Sequence, residues 1–174
     1  DHWIYSLNTT NGHALWVGTS SGPVFLNAHM MDAIKSGANL PFKILKDWNL
    51  FSDPGNQVWK IYYVNSKEGE RVFFGTRNNV VEYHSNKLVQ HWFSKEPKLE
   101  DVTGIQLNEK NELLIGTRSG FFYKENNNQF DTIHRFTYTI GIIPVAKNES
   151  YVLGFEGIYN IIGNNTKQIA EIAT

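Results

Sequence analysis

Two of the four arginines in this 174-residue chain stand at the same place in a recurring phrase. Arg77 and Arg118 each follow directly on Gly-Thr, at Gly75-Thr76 and Gly116-Thr117. Two guanidinium forks held side by side can grip a carboxylate or a sulfate through paired, charge-assisted hydrogen bonds. Each could instead cap its own turn, or pair with an acidic neighbour such as Glu100 or Asp101. The six histidines, His2, His13, His29, His84, His91 and His134, lack metal-ligand spacing, although His84 and His91 could approach across a hairpin. No cysteine is present, which excludes thiol nucleophiles, thiolate zinc sites and disulfides. The chain reads as lacking a nucleophile elbow, a His-Glu-x-x-His helix and a phosphate loop. Thr19-Ser-Ser-Gly22 has no following helix to offer an amino end to phosphate. No acid–base carboxylate pair can be assigned among residues such as Glu82, Glu100 and Asp101. The expectation is therefore a binding chain: not an enzyme, with no metal and no cofactor.

The elements that position those arginines follow from internal repetition. Leu15-Trp-Val-Gly-Thr-Ser-Ser-Gly22 recurs as Val72-Phe-Phe-Gly-Thr-Arg-Asn-Asn79 and as Leu113-Leu-Ile-Gly-Thr-Arg-Ser-Gly120. Tyr151-Val-Leu-Gly-Phe-Glu-Gly157 is a degraded fourth copy. The marker glycines, Gly18, Gly75, Gly116 and Gly154, lie 57, 41 and 38 residues apart. Upstream, Ile4-Tyr-Ser-Leu-Asn8 matches Ile61-Tyr-Tyr-Val-Asn65, each followed by a glycine-bearing turn at Gly12 or Gly69. Each copy reads as four short strands, because apolar triplets flanked by turn residues are too short for stable helices. Approximate repeat bounds are 1–50, 51–95, 96–136 and 137–174. The final strands of the later copies, beginning at Lys87, Gln129 and Lys167, alternate polar with apolar residues as edge strands do. The first copy carries an insertion, Ala28 to Gly37, with a helical pattern over Met30 to Ser36 that stops at Gly37.

Four-stranded antiparallel units at this period predict an all-β chain of β-propeller blades, four of them, forming a partial or fragment propeller. The marker glycines are expected where strand two crowds the next blade, and Trp16, Phe73 and Leu114 are expected to pack. Leu-Trp-Val-Gly-Thr-x-x-Gly followed by an apolar strand resembles the two-component regulator propeller repeat. The resemblance covers nearly the whole chain, best in the first copy and least in the fourth, where Phe155 replaces threonine. It implies a large periplasmic propeller of around seven blades at the front of a membrane-bound sensor histidine kinase, many of which govern polysaccharide use. It also implies that turns from strand two to strand three form the recognition face. That face would carry Ser20, Arg77, Asn78, Arg118, Ser119 and Glu156, with Trp48 in the irregular connection offering an exposed aromatic surface. Trp3, Trp59 and Trp92 could stack on sugars but suit packing positions.

Composition narrows the partners. Hydrophobic residues at 41% and charged residues at 19% suffice for a core. Asparagine is the commonest residue, as many tight turns require. A net charge of -1 gives no reason to expect nucleic acid or an acidic membrane surface. No apolar run approaches the ~20 residues of a spanning helix, so no direct membrane insertion is expected. No signal peptide is visible at Asp1. The expected role is a ligand-sensing or scaffold segment on the periplasmic or extracellular side. Its partners would be an oligosaccharide or anionic small molecule and the remaining propeller blades or another chain. The alternative is an exported lectin-like or protein-docking module, including a secretion-system component.

Overall fold

The computed structural model describes residues 3–10, 14–48, 57–67, 69–77, 79–92, 101–126, 129–136, 138–146 and 148–171. The chain divides into two compact units, Asp1–Thr76 with Val81–Gln90 and Arg77–Val80 with His91–Thr174. Every sheet is an antiparallel meander whose strands neighbour one another in sequence order.

In the first unit, β1 (Ile4–Thr9), β2 (Leu15–Thr19) and β3 (Gly22–Leu26) form one sheet. The strands β4 (Lys60–Ser66), β5 (Gly69–Gly75), β6 (Asn79–His84) and β7 (Lys87–Trp92) form the second. The apolar triplets make central strands buried on both faces, as with Phe73 and Phe74 on β5. Trp16, Trp48, Val58, Ile61, Val72, Phe74 and Val81 form a core between the two sheets. Polar side chains stitch it: Ser6 Oγ donates to Val58 O at 3.4 Å, and Asn8 Nδ2 donates to Ile61 O at 3.3 Å.

Among the described residues the first sheet has three strands, not the expected four. The inserted helix α1 (Ala28–Lys35) follows β3, capped by Asn27, whose side chain accepts from Met30 N at 3.0 Å. It ends at Gly37, whose φ of +85° suits a residue without Cβ. When the chain returns, Ile44 bridges Val24, and Leu45 N donates to Pro23 O at 2.8 Å. The reciprocal bond cannot form because Pro23 has no N–H, so the ladder stops there. The side chains of Met30, Met31 and Ile34 lie against Val17, Val24 and Leu26.

The second unit holds β8 (Val102–Leu107), β9 (Leu113–Thr117), β10 (Phe121–Asn126) and β11 (Gln129–Arg135) in one sheet. Its other sheet is β12 (Thr139–Ala146), β13 (Glu149–Gly154), β14 (Gly157–Ile162) and β15 (Asn165–Glu171). Leu114 and Phe122 pack against Ile142, Val152, Tyr159 and Ile161 to make its core.

Register settles the marker position. Gly18 pairs with Ser6 and Gly116 with Gly104, each one residue before a threonine that pairs with the start of the sheet's first strand. In the fourth copy the residue so placed is Leu153, paired with Gly141, while Gly154 pairs with Thr139 as Thr19 pairs with Ile4. The fourth marker is therefore Leu153. The shorter turn absorbed one residue, which shifts a letter-by-letter alignment. The close approach expected of the marker holds at Gly18 and Gly116. A Cβ on Gly18 would lie 2.7 Å from Val58 O, and one on Gly116 would lie 2.8 Å from Thr139 Cβ.

Candidate functional site

The turns after the first, third and fourth markers share one backbone bond, and in the first a threonine also closes the turn. Thr19 Oγ1 donates to Gly22 O at 2.7 Å and accepts from Ser21 N at 3.1 Å, closing the hairpin between β2 and β3. The residue after this position donates its N–H to a carbonyl at or just before the start of the sheet's first strand. Ser20 donates to Trp3 O at 2.9 Å, Arg118 to Asp101 O at 2.8 Å and Phe155 to Tyr138 O at 3.0 Å. The repeated backbone bond fixes where the variable side chain leaves the turn.

In the second unit Arg77 and Arg118 meet at one carboxylate. Arg77 Nε lies 2.9 Å from Asp101 Oδ1, and Arg118 Nη1 lies 3.8 Å from Asp101 Oδ2. Arg77 also forms a backbone bridge with Asp101. The convergence expected from repeat position is present, but the anion between the guanidinium groups is supplied by the chain itself. The two partners differ in commitment. Arg77 is three-quarters buried and closely bonded, whereas the Arg118 side chain is 61% exposed and at the outer limit of ion pairing. An exposed pair of this kind contributes about 0–1 kcal/mol, so a competing anion meets little resistance at Arg118. Ser119 is exposed beside it.

The other expected site residues fall elsewhere. Asn78 lies outside the described residues. Ser20 belongs to the first unit, where its Oγ accepts from Trp3 N at 3.2 Å. Glu156 is half-buried and takes a hydrogen bond from the Tyr159 hydroxyl. Burial first, and then the Glu156 and Glu171 charges with that bond, push the Tyr159 phenol above its usual pKa. The expectation that Trp48 is exposed is corrected: it is 1% exposed and meets Phe74 edge-on at 5.5 Å. Asp47, at φ +65°, turns the chain back so that Trp48 N donates to Leu45 O and the indole enters the core. Trp3, at 73% exposure, is the aromatic face that pattern reading assigned to packing. Trp59 lies 4.3 Å from Tyr5, ring to ring. His84 Nδ1 sits 3.0 Å from Glu70 O and His91 lies 4.0 Å from Glu125, so the two histidines have separate partners.

One motif reading also changes. Gly18-Thr-Ser20-Ser-Gly22 does satisfy Gly-x-Ser-x-Gly letter by letter. The structure removes its catalytic meaning, because Ser20 lies in a hairpin turn between two strands rather than at a strand-to-helix elbow.

Comparison with known proteins adds to this geometry. The chain matches solved structures along most of its length. An extracellular domain assigned to a one-component system of B. thetaiotaomicron aligns with 90% of this chain and 21% of its own, at 17% identity and a TM-score of 0.62. An extracellular domain assigned to a hybrid two-component system of the same organism aligns with 98% of this chain and 22% of its own, at 17% identity and a TM-score of 0.63. These sheets are propeller blades. A computationally designed protein matches more loosely, at 12% identity and a TM-score of 0.55, over 95% of this chain and 48% of its own. No protein-family profile matches the sequence, and no curated protein does. The chain spans about a fifth of the two extracellular domains. Their likeness supports, at the level of fold, the resemblance to the two-component regulator propeller repeat carried by the Gly-Thr motifs. No helix among the described residues is long and apolar enough to cross a membrane.

Proposed function

We propose that this chain is a segment of an extracellular or periplasmic sensing propeller belonging to a two-component signalling protein, and that it binds rather than catalyses. The observation that carries this reading is the match of 90% and 98% of the chain to two extracellular signalling domains, combined with the repeated Gly-Thr turn motif. The ligand contact within the segment is the turn bearing Arg118 and Ser119. There a solvent-facing guanidinium stands beside Asp101, whose charge is already engaged by the better-buried Arg77. Three charges of this kind leave the cluster with one net positive charge, which suits the carboxylate of an acidic sugar better than a neutral one.

Calorimetric titration with a uronate oligosaccharide and its neutral counterpart tests the contact. Arg118→Ala should weaken uronate binding by about 10- to 100-fold, the worth of a charge-assisted hydrogen bond of roughly 1.5–3 kcal/mol, with an unchanged melt. Equal binding by parent and variant would overturn the site. The sensing role is tested separately in the full-length protein. Deleting this segment should abolish the ligand-dependent transcriptional response, and a response that survives deletion would overturn that role.

A further inference from the structure

The two sheet-on-sheet interfaces within the units share one rule, and the outer face of the first sheet is an unused half of it. In each interface the earlier sheet places a marker glycine over the later sheet, Gly18 over Val58 and Gly116 over Thr139. In each, a hydroxyl beside that glycine donates to the carbonyl of the residue it covers, Ser6 to Val58 O and Thr103 to Thr139 O. The covered residues are accordingly sealed: Val58 and Thr139 are both 0% exposed, and Ile61 and Ile142 are 3% and 8%. Strand register corrects the letter match of Ile4 with Ile61, because Leu7 pairs with Val17 as Ile61 pairs with Phe74. The matching positions of the first sheet are therefore Ile4, 63% exposed, and Leu7, 61%. Helix α1 covers only the outer part of that face. Between it and β1 remains an apolar groove of about 310 Å³, lined by Ile4, Leu7, Val17, Met31, Ile34 and Phe42.

We infer that this groove receives one kind of partner: another sheet of the same repeat, carrying glycine at its marker position and a serine or threonine on the adjoining strand. The continuity is chemical, since Ile4 and Leu7 repeat the apolar positions that Val58 and Ile61 fill under Gly18, Ser6 and Asn8. The rule also excludes an occupant. The last sheet of a second copy presents Leu153 at the marker position, and Ile140 at the bulge where Thr103 supplies the hydroxyl. A leucine side chain cannot enter a gap that admits only hydrogen, because close-packed sheets give way by tenths of an ångström rather than by a side-chain length. Copies of this chain therefore do not join head to tail through these faces, while a partner sheet with the glycine does.

The absence of cysteine makes the test direct. In Leu7→Cys the introduced thiol is the only one, and its alkylation by N-ethylmaleimide reports coverage of the groove. Adding a cysteine-free copy carrying Ile140→Thr and Leu153→Gly should slow alkylation by about tenfold when that copy is in saturating excess, since covered sites react only on opening. The unaltered cysteine-free chain at the same concentration should leave the rate unchanged. No slowing by the folded double variant overturns the rule, as does equal slowing by the unaltered chain. Should the double variant melt early, Leu153→Gly alone, at a half-buried position, serves as the added copy with the same two outcomes.

Discussion

Replacing Gly116 by alanine tests the packing logic with the smallest possible perturbation. Gly116 does not adopt a positive φ, so alanine meets no backbone penalty and the effect is one of space. The new Cβ would lie 2.8 Å from Thr139 Cβ and closer still to Thr139 Cγ2. Thr139 is fully buried and cannot swing into solvent. Overpacking of this kind costs about 1–3 kcal/mol. Contacts this short belong to the upper part of that range, about 2–3 kcal/mol. Restricting the unfolded chain returns up to about 1 kcal/mol, which leaves a net loss of at least about 1–2 kcal/mol. For a chain of this size that is a fall in Tm of about 2–8 °C, measurable by calorimetry or by near-ultraviolet circular dichroism. Gly141→Ala is the control, because its added Cβ meets nothing within 4 Å and only the stabilising entropy acts. Adding Thr139→Ala to Gly116→Ala removes the closest contact, so the pair should couple by at least about 0.5 kcal/mol. A Gly116→Ala melt within about 1 °C of the parent, or no coupling, would refute the claim that hydrogen alone fits at this marker.

Trp48→Ala should destabilise by about 3–5 kcal/mol, as removal of a buried aromatic does, and thermal melting should show it without any ligand present. A small effect would return Trp48 to the candidate binding surface. Tyr159 makes stability depend on alkaline pH. Its folded pKa lies above the usual 10.0, so its contribution is complete below pH 10 and declines as pH rises from there through the raised folded value. Tyr159→Phe should therefore lose less stability than the parent between pH 9 and pH 11 in denaturant titrations. Parallel pH profiles would contradict the assigned environment.

Local and periodic features were legible in the residues themselves. Apolar triplets between turn residues specify strands, Gly37 stops the helix, and a phrase used four times specifies one sheet four times over. The recurrence of Arg after Gly-Thr even located the two side chains that meet at Asp101. These signals are readable because they depend on neighbours in sequence, through turn geometry and strand alternation.

Contacts between distant segments decided the rest. Trp48 sits in an irregular connection that any pattern reading leaves at the surface, yet one left-handed residue returns it to the core. Leu153 replaced Gly154 as the fourth marker because strand register, set by hydrogen bonds to Thr139 and Gly141, absorbs a one-residue change that alignment by letters cannot see. Ser20 matched a catalytic spelling whose meaning vanished once a strand, and not a helix, followed it. The anion facing Arg77 and Arg118 is Asp101 because backbone bonds bring that residue beside the arginine turns. Sequence determined which residues the turns display, and tertiary structure determined what they face, since an ion pair or a buried contact depends on distances that no spacing along the chain encodes.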